Sequence, residues 1–283
     1  RGVTKTINSN TTNAEATQAD SLTAFGSDGF TLGSNGDINY NNSTYVGWNW
    51  KAGGTASSNT DGSITSSVSS NTTAGFSIVS FTGTGATATV GHGLGTTPKF
   101  WLVKSRSSGA WWTYTTVIDG SLDYLFLDTT VAANDSGVSL PTSSVFSVNG
   151  SVAPTSENMI AYCFADVKGY SKFGSYTGNG NADGTFVYTG FKPAFIMFKR
   201  TNSTSGWGMY DNKRTPFNLM NKRLLANTSG AEDTSADNGI DFLSNGFKWK
   251  TGSGWNASGG SYIYMAFAEN PLVGTNNVPA TAR

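Results

Sequence analysis

Apolar and polar positions change over in short runs along this chain. GFSIVSF (75–81), KFWLVKS (99–105), DYLFLD (123–128), GTFVYTG (184–190) and AFIMFKR (194–200) are rich in β-branched or aromatic residues and bounded by Gly, Asn, Pro or Ser. That is the pattern of short strands punctuated by turns. Alternation within the runs is incomplete, which suits strands buried from both sides, in a sandwich or at an interface. The 35 glycines break any long helix, and NKRLLANTS (221–229) is one modest helical candidate without clean caps. The pattern predicts an all-β fold of tandem β-sandwich domains with long polar loops.

The runs also repeat. TPKFWLVKS (97–105) returns as KPAFIMFKR (192–200), each with a proline ahead of an apolar run closed by a basic residue. VFSVNGS (145–151) is echoed by GFKWKTG (246–252), and the strands that follow are MIAYCFA (159–165) and YIYMAFA (262–268), with Phe164 and Phe267 in matching places. GFTLGSN (29–35) and YVGWNWK (45–51) form a third copy of this second half. Periods of this length belong to domain-sized repeats rather than to a solenoid. The expected division is a polar segment over 1–21, a partial unit over 22–54, full units over 75–168 and 169–274, and a tail over 275–283. Residues 55–74 read either as a flexible linker or as a narrow edge strand anchored by Ile64 and Val68. The first 21 residues are polar enough to need a neighbour to order them.

Composition narrows the function classes. Lys plus Arg and Asp plus Glu number 18 each, for a formal net charge of zero and a charged fraction of only 13%. This is the opposite of a nucleic-acid binder's surface, and it tolerates close neighbours. Cys163 is the one cysteine and lies in an apolar run, so it reads as core packing, with neither a disulfide within the chain nor a thiolate metal cluster. No apolar run is long enough for a membrane-spanning helix.

Candidate chemistry is sparse. His92 is the single histidine, flanked by Gly91 and Gly93, and a tight-turn role outweighs proton transfer. Asp119, Asp123 and Asp128 carry the carboxylates a glycosidase needs, but Asp123 and Asp128 have opposite strand parity and read as turn and strand-end acids. Asn134–Asp135, Asn181–Asp183 and Glu232–Asp233–Asp237 offer oxygen ligands without an EF-hand pattern, so no metal site and no cofactor is expected. Among eight tryptophans, Trp112 and Trp207 each stand 14 residues after a proline and read as a structural pair. Trp255, in TGSGWNASGG, reads as a loop tip available for contact. Lys213, Arg214, Lys222 and Arg223 belong to a basic stretch, followed by Glu232, Asp233, Asp237 and Asp241. These four are ligand-contact candidates toward an anionic surface, or toward a second copy's acidic patch.

GSYTGNGNADGTFVYTGFKPAFIMFKR, YCFADVKGYSKF, SDGFTLG with TYVGWNWKAGGTASSNTDGSITSSVS, and YIYMAFAENPLVGTNNVPATAR resemble a repeat domain of tail-fibre-like proteins of marine bacteriophages. The resemblance spans almost the whole chain and carries no catalytic residues. It implies a homotrimeric virion component at a distal tail or capsid surface, with other virion proteins and a host surface glycan or protein as partners. RGVTKTINSN then reads as the end of a preceding domain. The leading expectation is a non-enzymatic fibre or spike protein for host attachment. A purely structural decoration protein and a polysaccharide depolymerase are the alternatives.

Overall fold

The computed structural model describes residues 2–269. Four short strands come first: β1 (Lys5–Thr6), β2 (Ala16–Thr17), β3 (Leu22–Phe25) and β4 (Phe30–Leu32). Then follow β5 (Ser57–Asn59), β6 (Ser66–Asn71), β7 (Phe76–Thr82), β8 (Ala88–Gly91), β9 (Phe100–Ser105), β10 (Trp112–Thr115), β11 (Asp123–Phe126), β12 (Asn134–Asp135), β13 (Val145–Val148) and β14 (Asn158–Phe164). The last group is β15 (Ser171–Thr177), β16 (Phe186–Tyr188), β17 (Phe195–Arg200), β18 (Trp207–Asp211), β19 (Leu224–Leu225), β20 (Ile240–Leu243), β21 (Gly246–Trp249) and β22 (Ser261–Phe267). Strand dominates and the named strand pairs are antiparallel. Residues 57–59 and 66–71 are thus strands of the first large sheet. The helix expected over 221–229 is absent: Leu224 and Leu225 instead pair with Met209 and Gly208 as an edge strand, because two adjacent leucines bury better against β18 than a polar turn of helix would.

The two large sheets share one strand order. The first runs β12-β11-β10-β9-β14-β7-β6-β5, and the second runs β15-β22-β17-β18-β19. Aligning β7 with β15, β14 with β22, β9 with β17, β10 with β18 and β11 with β19 superposes the orders. The small sheets, β13-β8 and β16-β21-β20, match likewise. The doubled phrases therefore occupy the same place, β9 and β17, each beside the long last strand of its unit.

Side-chain parity explains the broken alternation. Val79, Phe81, Trp101, Val103, Met159, Ala161 and Cys163 point to one face of the first large sheet, where they are buried with Val90, Phe146 and Val148 of the small one. Phe76, Phe100 and Phe164 point to the other face and are buried with Phe173, Phe195, Met197, Ile263, Met265 and Phe267 of the second large sheet. The second sheet's opposite face, including Ile196, Phe198, Tyr262 and Ala266, is buried with Phe247 and Trp249. The central strands of both large sheets are buried on both faces, so they read as near-continuous apolar runs.

Candidate functional site

The parity of β9 and β17 carries two lysines into junctions, Lys104 beneath the N-terminal segment and Lys199 between the two units. Lys104 and Lys199 are 0% exposed and stand at matching positions of the doubled phrase. The Lys104 ammonium donates to the carbonyls of Asn13 (3.1 Å) and Ser105 (2.7 Å). Lys199 donates to those of Thr130 (3.2 Å) and Arg200 (2.9 Å). Burial depresses both, Lys199 to about 8, while Asp128 partly offsets the effect at Lys104.

Around each lysine the same set of bonds recurs. The Trp111 indole donates to Asn8 O (2.8 Å) and that of Trp207 to Phe126 O (2.9 Å). Gly109 N donates to Thr12 O, and Ser205 N to Thr130 O. Glu15 N donates to Arg106 O, and Ala133 N to Thr201 O. Trp111 N meets the Asp128 carboxylate, and Trp207 N meets the Asn227 side-chain oxygen. Residues 8–15 therefore dock on the first unit as residues 126–133 dock on the second. This corrects the tryptophan pairing: Trp111, not Trp112, is the counterpart of Trp207, because the connection from β9 to β10 is one residue shorter than that from β17 to β18.

Lysine burial has a pH signature. Lys199 titrates lower folded (about 8) than unfolded, so between about pH 8 and 10.5 the unfolded chain holds a proton the folded chain lacks. Its contribution makes stability rise across that window and stay flat below it. Unfolding by urea from pH 7 to 10.5 should show wild type gaining up to about 3 kcal/mol relative to Lys199→Met. A constant difference between the two proteins would refute the buried charge.

The remaining chemical groups are committed to the fold. His92 is 0% exposed; its Nδ1 accepts from Leu94 N and its Nε2 faces Thr142 O, both at 3.2 Å, and burial lowers its pKa. Burial pushes the Cys163 thiol up to about 12, which removes its nucleophilic form. Asp128 caps Trp111 N, and Asp119 accepts from Ser121 N and Oγ in a turn. Asp123 is pushed up to about 6 by burial, with Asp119 and Asp135 adding repulsion. Among the described residues no group of three or more His, Cys, Asp or Glu is arranged to hold a metal ion.

The contact candidates lie differently from expectation. Trp255, read as an exposed loop tip, is 3% exposed. A short 3-10 turn, Gly254–Asn256, folds its ring onto Gly208, where a Cβ would sit 2.8 Å from the indole. Only glycine fits there. The basic stretch pairs within the chain rather than presenting free charge. Arg214 binds Asp211 (2.7 Å) and Glu232 (2.9 Å) and lies over the Trp48 ring. Lys222 reaches Glu232 (3.6 Å), Arg223 meets Asp233, and Lys213 meets Glu269. Glu232 and Asp233, two of the acids expected to complement a neighbour's patch, neutralise their own basic stretch. Of the four, Lys213 is the most open, with an exposed side chain.

Exposed apolar side chains that the sequence reading passed over include three groups. Phe186 and Tyr188 flank buried Val187 on β16, an alternation visible in the residues themselves. Phe217 (80% exposed) and Leu219 sit in the loop before β19. Phe25 and Phe30 border an open cleft of about 980 Å³ that also touches Trp48, Trp50, Ile78 and Ile160.

A family model described as a domain of unknown function, DUF7483, matches residues 1–271. No curated protein and no solved structure matches the chain.

Proposed function

The chain belongs to the DUF7483 family, and we propose that it is a non-enzymatic virion fibre or spike protein whose β-sandwich units present apolar loop and edge residues to a host cell surface. The observation that supports this reading is that five of the candidate groups among the described residues are held inside the fold. Lys104, Lys199, His92, Cys163 and Asp128 are each held by backbone or core partners. A sandwich reading for each unit is supported by cores shared between one large and one small sheet. The resemblance to phage tail-fibre repeats supplies the virion setting, and assembly as a homotrimer at a particle's distal surface follows from it. Attachment then works by multivalency, with several copies of Tyr188, Phe186 and Phe217 turning weak contacts into firm ones.

Antibody raised against the purified chain, followed through electron microscopy of intact particles, tests the setting: label on a tail or capsid projection is expected, and unlabelled particles would contradict it. Incubation with envelope polysaccharide should release no new reducing ends. Release above background would replace this reading with a depolymerase.

A further inference from the structure

The first fifty residues repeat half of a unit. β1 and β2 pair Thr6 with Ala16 as β11 and β12 pair Tyr124 with Asn134, and Gly2 and Gly120 share the same left-handed backbone (φ 99° and 97°). The β3–β4 hairpin corresponds to β20–β21, which places Phe25 and Phe30 at the positions of Phe242 and Phe247. Residues 45–51 correspond to β14 and β22, and Trp50 accordingly meets Phe164 (6.2 Å) and Phe267 (5.4 Å), which meet each other at 5.9 Å. Three equivalent aromatic rings close a triangle, so the half-unit occupies the third sector of a quasi-threefold arrangement.

That sector is open. Phe25 and Phe30 are 69% and 44% exposed, where Phe242 and Phe247 are 3% and 0%. β14 runs between β7 and β9, and β22 between β15 and β17, yet residues 45–51 form no strand pair. The cleft of about 980 Å³ lies beside them. The docking series is also one step short. Residues 8–13 receive Trp111 and Lys104, residues 126–130 receive Trp207 and Lys199, and the corresponding carbonyls of Leu225 and Ser229 receive no tryptophan or lysine among the described residues.

We propose that this face is filled by strands equivalent to β7, β9 and β10 from a further unit of this kind, carrying a lysine and a tryptophan at the spacing of Lys104–Trp111 and Lys199–Trp207. The complete units argue for that occupant, because in both of them these strands sit in one sheet with the strand that residues 45–51 repeat. A second copy is the poorer occupant, since both of its own strand sets are already seated. The incoming lysine and tryptophan bond the carbonyls of 225–229, and the incoming sheet covers Phe25, Phe30 and the 45–51 backbone.

The test joins residues 75–118, in register with Asp119–Gly120 matching Arg1–Gly2, to the front of the full chain. A second fusion uses 170–213, so that one poorly folding variant does not decide the matter. Hydrogen exchange at amides 46–50 is expected to slow at least tenfold, with dye binding at the apolar cleft lost and the mass monomeric by sedimentation. Unchanged exchange in both fusions would overturn the proposal. So would an unfused chain that already sediments as a dimer with those amides protected, which would assign the face to a second copy.

Discussion

Trp207→Ala is expected to lower stability by about 3–5 kcal/mol, the cost of emptying a fully buried indole site. The ring is 1% exposed, packs edge-on to Phe100 of the other unit at 6.2 Å, and donates its N–H to Phe126 O. Truncation leaves a cavity and removes the indole donor from the Phe126 carbonyl. For a chain of this size the melting temperature should fall by roughly 10 °C. Trp111→Ala should cost a similar amount, because it removes the same indole-to-carbonyl bond from the equivalent junction. A loss below about 1 kcal/mol in either variant, read by urea denaturation, would contradict the docking role.

Phe267→Ala should be as damaging, for a different reason. Its ring is 4% exposed and touches Trp50, Phe164, Tyr170, Phe173 and Phe195, with centroids 5.4–6.3 Å apart. Those partners come from both units and the N-terminal segment, so one substitution loosens five ring contacts across all three parts at once. About 3–5 kcal/mol is expected. Because Phe164 shares the cluster, the double variant with Phe164→Ala should depart from additivity by about 0.5–3 kcal/mol. Additive losses would place the two rings in independent environments.

Much of this organisation was legible in the chain. The doubled phrase marks β9 and β17 because each copy must bury one face in its own core and the other in a junction, and a near-continuous apolar run ending in a lysine whose ammonium is met by backbone carbonyls does both. The match of Phe164 with Phe267 located the junction's centre. The tryptophan register was misplaced by one, because counting from a proline cannot see a one-residue difference in loop length. Residues 5–17 gave no signal: their strands are two residues long and polar, and their order comes from partners such as Lys104 and Arg106, about 90 positions away. Trp255 sits among glycines and serines that suggest exposure, yet the glycine that decides its fate, Gly208, is remote in sequence. Arg223 and Asp233 looked like separate patches of opposite sign, and cross-strand register brings them together.

The central claim is that a repeated junction, burying Lys104 and Trp111 where the N-terminal segment meets the first unit and Lys199 and Trp207 where the first unit meets the second, joins all three into a single cooperative body. Differential scanning calorimetry of the intact chain tests it most directly. One transition, with equal calorimetric and van't Hoff enthalpies, is the expected result. Two separable transitions, each shifted only by substitutions within its own unit, would contradict it.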